Sequence, residues 1–222
     1  MVLSSKERYL QIAFNYDLNQ VFRILPSIPQ DERIMIEAGT PFIKREGLNG
    51  VYAISRATQG HVITDIKTSD GAIQEVKMFK EAGATGMTVL GTAPKETLDF
   101  FINSCKKYNI ISMIDMIGID EVLPILRKLF TPPDVVILHK GRDEEQTKGK
   151  VIPYKQVNKI RSKFNCLISA AGGIDLKETR SAVFNGANIV VANIVSPDDP
   201  WVGISSEDDV KKVAKEFLES MK

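Results

Sequence analysis

The chain has 222 residues, of which 43% are hydrophobic and 26% are charged, and this composition excludes a wholly disordered protein. Its 29 basic and 28 acidic side chains give a net charge of +1, which argues against a protein whose main task is to bind nucleic acid. Two cysteines are too few for a disulfide framework. The first residues are charged, unlike a signal peptide, and no apolar run is long enough for a membrane helix. We therefore expect one globular, cytoplasmic domain over residues 1–222.

Two kinds of segment alternate along this chain. Longer stretches carry apolar residues at helical spacing, as in Leu98–Cys105, Val122–Leu129 and Val210–Phe217. Asp175 and Glu178 have the spacing of a capping box and predict a helix start. Short apolar runs rich in β-branched residues predict strands, and these are Leu10–Phe14, Ile34–Ile36, Val62–Ile66, Met87–Leu90, Ile110–Ile114, Val135–Leu138, Leu167–Ala170 and Ile189–Val191.

The regular alternation predicts the fold. The apolar runs recur roughly every 25 residues, the spacing of a strand followed by a helix. Eight such units in a chain of this length predict an α/β protein folded as a single (β/α)8 TIM barrel. An open doubly wound sheet is the main alternative, but no G-x-G-x-x-G follows the first strand. In a barrel the active site lies at the carboxyl ends of the strands, so polar residues there are the candidates for function.

Charged side chains follow the second and third predicted strands. Glu37 ends one apolar strand, where burial is costly unless a cation or a hydrogen-bond donor is near. Asp65 and Lys67 share one face of the next strand because side chains two residues apart point the same way. If Ile66 faces the helices, both charges face the barrel mouth, where they could serve proton transfer or form a structural ion pair.

Later strand ends add a histidine and a glycine pair. His139 follows the sixth predicted strand and precedes a basic turn. Gly172 and Gly173 follow the seventh strand, directly before the helix that Asp175 opens. Backbone N–H groups at such a turn can approach an anion, and phosphate commonly binds near the seventh and eighth strands of these barrels.

Taken together, these strand ends resemble one family. The chain resembles the orotidine-phosphate decarboxylase superfamily from about Leu10 to Val195, and within it the branch of 3-hexulose-6-phosphate synthase and 3-keto-L-gulonate-6-phosphate decarboxylase. The segments that carry the resemblance are Glu37-x-Gly-Thr-Pro41, Lys44-Arg-Glu-Gly47, Asp65-x-Lys67-x-x-Asp70, Val89-Leu-Gly-x-Ala93, His139-x-Gly-x-Asp143 and Ala171-Gly-Gly-Ile174.

The resemblance implies a set of roles at these positions. It implies a barrel that works as a homodimer on a sugar phosphate, with the active site near the interface and Asp70 reaching across it. The remaining implied roles are Mg²⁺ held by Glu37 and Asp65, Lys67 hydrogen-bonded to substrate oxygens, His139 in proton transfer, and substrate or phosphate contacts by Asn15, Thr40, Gly172, Gly173 and Asn193. Mg²⁺ prefers carboxylate oxygens, and two adjacent oxygens of an enediolate can chelate one such cation.

Two activities remain open at this point. Gly39-Thr-Pro41 with Arg45-Glu-Gly47 resembles the synthase, which adds the enediolate of ribulose 5-phosphate to formaldehyde. Arg142, three residues after His139, resembles the decarboxylase, in which an arginine there assists protonation. The longer match favours the Mg²⁺-dependent aldolase.

The chain also departs from the family pattern at two strand ends. Asn15 stands where the family usually has an aspartate, and Asn193 where it has a glycine or an arginine that grips phosphate. These changes leave room for a related phosphosugar enzyme, or for a binding protein with another ligand.

Overall fold

The structure, a computed structural model, describes residues 3–147, 149 and 151–222. Its strands are β1 (Tyr9–Phe14), β2 (Ile34–Ala38), β3 (His61–Thr68), β4 (Gly86–Leu90), β5 (Ile111–Asp115), β6 (Val135–His139), β7 (Leu167–Ala171), β8 (Ile189–Val195) and β9 (Ile204–Ser205). The first eight strands are parallel and follow chain order, and β1 also pairs with β8, which closes the barrel. The predicted TIM barrel is therefore confirmed and the open sheet is excluded. The short β9 pairs only with β8.

Helices alternate with the strands around the barrel. They are α1 (Leu18–Ile24), α2 (Thr40–Ala57), α3 (Ala72–Glu81), α4 (Lys95–Tyr108), α5 (Leu123–Leu126), α6 (Arg142–Glu145), α7 (Lys155–Arg161), α8 (Leu176–Phe184) and α9 (Val210–Ser220). The Asp175 side chain accepts a hydrogen bond from the Glu178 N–H, so the predicted cap of α8 is confirmed. The apolar stripe Val122–Leu129 predicted a longer helix than α5. Pro132 and Pro133 follow that stripe, and a proline disfavours helical geometry in the residue before it.

Two apolar layers hold the barrel together. The larger lies between strands and helices and includes Phe42 from α2 and Phe101 from α4, both fully buried. The smaller fills the barrel interior with side chains such as Met35, Ile63 and Met113. Since side chains alternate along a strand, residues two positions beyond these interior side chains also point inward, at the carboxyl end of the barrel. This register carries Glu37, Asp65 and Asp115 to one end of the barrel interior, together with His139 and Asn193 on the later strands.

Among the described residues, no helix combines the length and the apolar character needed to cross a bilayer.

Candidate active site

A chain of charged side chains spans the mouth of the barrel. The Lys67 Nζ atom lies 2.7 Å from an Asp65 carboxylate oxygen and 2.6 Å from an Asp115 carboxylate oxygen. Asp115 in turn lies 2.9 Å from the Nδ1 atom of His139. Four side chains from β3, β5 and β6 thus form one hydrogen-bonded network. The two carboxylates hold the ammonium and the imidazole in fixed positions before any ligand is bound.

The backbone geometry of β3 positions the side chains of both Asp65 and Lys67. Lys67 has a φ of 50°, in the left-handed region that residues other than glycine seldom adopt, and the register between β3 and β4 shifts between Thr64 and Thr68. The Lys67 N–H donates to the Thr88 hydroxyl oxygen at 2.9 Å, which holds this distorted backbone. The predicted common face of Asp65 and Lys67 is observed, but it depends on this irregularity as well as on strand alternation.

Two hydroxyl groups fix the Asp65 carboxylate. Thr40, at the start of α2, donates to an Asp65 carboxylate oxygen at 2.9 Å, and Thr88 on β4 donates to the other at 2.8 Å. The predicted substrate-binding residue Thr40 is therefore engaged by Asp65 in the free chain. Threonine side chains lose little conformational freedom when they are fixed, so they suit this supporting role.

Burial and charge set the protonation of the Lys67–Asp115–His139 group. Burial lowers the pKa of Lys67, but Asp65 and Asp115 outweigh burial and raise it above its ordinary value, so the ammonium stays charged. Burial likewise lowers the pKa of His139, while the attraction and hydrogen bond of Asp115 raise it by more. Burial raises the pKa of Asp115, but His139 and Lys67 together bring it below its usual range. Asp115 is therefore an ionised carboxylate at neutral pH.

Asp115 is the site residue that the sequence analysis missed. It ends β5, directly after the predicted strand Ile110–Ile114, and only 1% of its surface is exposed. A carboxylate at the end of an apolar strand is the criterion that selected Glu37, and Asp115 meets the same criterion. Asp115 is the central residue of the network because both Lys67 and His139 contact it.

Glu37 lies beside this network in the barrel interior. Its carboxylate accepts a hydrogen bond from the side-chain amide of Gln11 on β1. Burial, and then the negative charge of Asp65, raise the pKa of Glu37 to about 7. Gln11, Lys67 and His139 lower the pKa of Glu37 by less than burial and Asp65 raise it. A bound cation would therefore stabilise the ionised form of Glu37.

The other predicted residues lie around this centre. Asn15 donates to the Asn193 side-chain oxygen at 3.0 Å, so the two departures from the family pattern contact each other between β1 and β8. The Arg142 guanidinium lies 4.1 Å from the centre of the Trp201 ring. Asp70 is exposed in the turn before α3, with no described contact to the network in the single chain.

Gly172 and Gly173 form the turn after β7 with φ values of 104° and 64°. A Cβ atom on Gly172 would lie 1.9 Å from the Lys140 carbonyl oxygen, so the turn requires glycine for space as well as for conformation.

Comparisons with known proteins identify the family of this chain. The family described as orotidine 5'-phosphate decarboxylase / HUMPS matches residues 8–193. The chain belongs to this family. A bifunctional enzyme Fae/Hps from Methanothrix thermoacetophila is 34% identical over 216 residues, which are 96% of this chain and 53% of that protein. The chain therefore spans about half the length of the curated relatives that it matches.

Solved structures extend the comparison. The 3-hexulose-6-phosphate synthase from Salmonella typhimurium has a TM-score of 0.82 at 25% identity and covers 96% of this chain and 98% of its own. KGPDC from Streptococcus mutans has a TM-score of 0.76 at 18% identity, with 97% of each chain covered, which shows a shared fold. The synthase and KGPDC are both enzymes, and both have the same barrel as this family member.

The donor set of the family member suits a hard cation. The described residues contain no group of three or more histidine, cysteine, aspartate or glutamate side chains arranged to hold a metal ion. Mg²⁺ does not require such a cage, because it commonly binds one or two carboxylates and completes its coordination with water and substrate oxygens. Glu37 and Asp65 provide two carboxylates close enough to raise the pKa of Glu37. These residues therefore fit the ion that the resemblance implies.

Proposed function

We propose that the protein is a Mg²⁺-dependent aldolase of the 3-hexulose-6-phosphate synthase type, which joins ribulose 5-phosphate to formaldehyde. The observation that carries the proposal is the network of Lys67 between Asp65 and Asp115, with His139 on the far side of Asp115. Such a network supplies a fixed positive charge and a proton-transfer group side by side. The sequence relationship to Fae/Hps proteins and to a solved synthase supports the choice of reaction.

The reaction needs both of these groups. Removal of a proton from C1 of ribulose 5-phosphate gives an enediolate. Its C1 then forms a bond to the formaldehyde carbon as the C=O π bond opens, and the resulting alkoxide oxygen takes up a proton. The negative charge spreads over two adjacent oxygens, which the Lys67 ammonium stabilises because it is already positioned and partly shielded from water. His139 engages Asp115 through Nδ1, so its other ring nitrogen, Nε2, carries the proton transfer.

Mg²⁺, held by Glu37 and Asp65, would supply further charge stabilisation to the same pair of substrate oxygens. The chain's own part is to present the two carboxylates at fixed positions. Gln11 orients Glu37, and Thr40 with Thr88 orients Asp65. In this proposal, Asp65 serves both the cation and Lys67.

The substrate phosphate is assigned to the Gly172–Gly173 turn in this proposal. Gly172 and Gly173 directly precede the start of α8, where unpaired backbone N–H groups and the helix dipole favour an anion. Asn15 and Asn193 lie at the neighbouring strand ends and can hydrogen-bond substrate without adding charge. A reducing, cytoplasmic setting is consistent with two free cysteines, Cys105 and Cys166.

The test is an NMR time course of ribulose 5-phosphate in D2O with Mg²⁺ and formaldehyde. We expect signals of a new hexulose phosphate. Deuterium exchange at C1 without a new product would show that the enediolate forms but that formaldehyde is the wrong electrophile. An unchanged spectrum would reject the proposed reaction.

Arg142 favours a second candidate, a decarboxylase of the 3-keto-L-gulonate 6-phosphate type. Arg142 follows His139 by three residues and is the first residue of α6. Its guanidinium packs against the ring of Trp201. In this reaction the enediolate arises by loss of CO2 and is then protonated. Release of CO2 from 3-keto-L-gulonate 6-phosphate, without condensation of ribulose 5-phosphate and formaldehyde, would favour this candidate.

We further propose that the protein is a homodimer in which Asp70 completes the partner's active site. Asp70 is exposed beside α3, and the same part of the surface carries the half-exposed apolar side chains Ile73 on α3 and Phe100 on α4. An acidic side chain next to exposed apolar groups suits an interface that contributes a residue to a site.

Subunit mixing tests this arrangement. An isolated heterodimer of Asp70→Asn and Lys67→Gln subunits should have one intact site and one doubly defective site, and therefore about half of wild-type activity, while each parent is inactive. A heterodimer of Lys67→Gln and Asp65→Asn is the control, because both changes fall in a subunit's own network and neither site is intact. Failure of the first heterodimer to regain activity would contradict the shared site.

A further inference from the structure

The turn proposed to bind phosphate is already covered by charged side chains of this chain. An ideal Cβ atom on Gly173 would lie 3.1 Å from a carboxylate oxygen of Glu145 and 3.3 Å from the Nζ atom of Lys140. Glu145 ends α6, and Lys140 lies between β6 and α6. A carboxylate and an ammonium from the segment after β6 thus lie directly against the glycine that shapes the turn.

Glu145 is a half-buried carboxylate with two cations nearby. Burial raises the pKa of Glu145, whereas the positive charges of Lys140 and Arg142 lower it by less. The carboxylate is therefore partly removed from water and lies close to two cationic side chains. A phosphate group would use the same kinds of partners, because it also takes up lysine or arginine side chains.

A second contact joins the segment after β6 to the loop that follows β8. Arg142 lies over the ring of Trp201, with its guanidinium 4.1 Å from the ring centre. Within the described part of the chain, the Trp201 Nε1 atom is buried and has no hydrogen-bond partner.

The positive charge near the Gly172–Gly173 turn comes from the segment after β6 and not from the ends of β1 and β8. Asn15 directly follows β1 and Asn193 lies near the end of β8. Both side chains are uncharged, and Asn15 donates a hydrogen bond to Asn193. A phosphate monoester carries close to two negative charges at neutral pH and needs cationic partners. Lys140 is placed against the turn at which the phosphate is expected, and the Glu145 carboxylate lies against the same glycine.

We propose that Lys140 binds the phosphate of the substrate at the Gly172–Gly173 turn, and that Glu145 is an internal anion which the phosphate displaces. This inference rests on the proposed function for its ligand. It adds a phosphate-binding residue and a competing carboxylate to the site. Glu145 lies against Gly173 next to Lys140, and the incoming phosphate takes its place beside the Lys140 ammonium.

Two substitutions with opposite effects test this inference. Glu145→Gln keeps the shape but removes the competing charge, so it should tighten binding of inorganic phosphate and of ribulose 5-phosphate about 5- to 10-fold. Lys140→Gln should weaken binding of both by a similar factor, because it removes the cation. Calorimetric titration of each protein gives the dissociation constants. Glu219→Gln and Lys163→Gln are matched controls that make the same charge changes at exposed positions away from the site.

The outcomes separate this inference from the proposed reaction. Tighter phosphate binding by Glu145→Gln supports the inference even if ribulose 5-phosphate is not turned over. Unchanged dissociation constants in both variants would overturn it, even if the aldolase reaction is found. A purely structural role for Glu145 would lower the melting temperature of Glu145→Gln without tightening phosphate binding, and that result also overturns it.

Discussion

Replacing Asp115 by asparagine is expected to lower kcat about 10²- to 10⁴-fold, the range over which positioned proton-transfer groups act. The carboxylate contacts Lys67 Nζ at 2.6 Å and His139 Nδ1 at 2.9 Å. Asparagine keeps the size of the side chain but loses its charge, so Lys67 and His139 both lose the carboxylate that positions them. The effect should fall on kcat more than on KM, because no substrate contact is assigned to Asp115.

The fold should survive this change. Lys67 keeps its second carboxylate, Asp65, so the ammonium does not become a buried charge without a partner. We expect a loss of about 1–3 kcal/mol in the free energy of unfolding, the usual result of removing a partner from a buried hydrogen bond. Thermal unfolding of the purified variant measures this loss separately from activity.

Histidine NMR gives a readout that a purely structural role would not change. The chain has two histidines, so two ring signals are expected. Asp115→Asn should lower the raised pKa of His139, since the attraction of Asp115 is what raises it. The pKa of His61, which burial holds below its ordinary value, should not change. Asp120→Asn, at an exposed position nearby, is the control. An unchanged His139 titration in Asp115→Asn would show that the two groups are not coupled.

The fold could be predicted because its signals are local. Each strand of the barrel is a short apolar run, and burial on both faces of a parallel sheet selects such runs. Strands β3 and β8 are nevertheless longer than the apolar runs that predicted them. Their additional residues include polar side chains at the mouth of the barrel. The length of α5 could not be predicted from apolar spacing alone, since the spacing continues beyond the helix.

The site could be predicted only in part, for a physical reason. Glu37, Asp65, Lys67 and His139 lie towards the carboxyl ends of apolar strands, at the same end of the barrel. Asp115 meets the same criterion and was missed, but its role depends on contacts with residues 48 and 24 positions away. Such distant contacts are set by the closure of the barrel and leave no local sequence pattern. The position of Glu145 against Gly173 is another distant contact of this kind.

Glu37→Gln is expected to abolish activity while it stabilises the metal-free protein at high pH. The ordinary pKa of 4.5 rises to about 7 in the folded chain, first because of burial and then because of Asp65. The folded protein therefore holds a proton on Glu37 that the unfolded chain has already released. Stability from this group is present below pH 4.5 and is lost as the pH rises through 7.

The size of the effect follows from the same pKa values. One pKa unit corresponds to about 1.4 kcal/mol, so ionised Glu37 costs roughly 3 kcal/mol above pH 8 when no cation is bound. Glutamine has no charge to bury and can still accept the hydrogen bond from Gln11. We expect Glu37→Gln to be more stable than wild type by roughly 1–3 kcal/mol at pH 8.5, with little difference at pH 5.

Thermal unfolding at the two pH values measures this difference, with and without Mg²⁺. Wild type should gain stability from Mg²⁺ at pH 8.5, because the cation removes the cost of two close carboxylates, and Glu37→Gln should gain much less. Glu32→Gln, an exposed position, should behave as wild type throughout. Equal stabilisation of wild type and Glu37→Gln by Mg²⁺ would place the cation elsewhere. In that case the destabilising charge of Glu37 would be unrelated to cation binding. Selective stabilisation of wild type by Mg²⁺ would instead show that the buried charge of Glu37 serves to bind the ion.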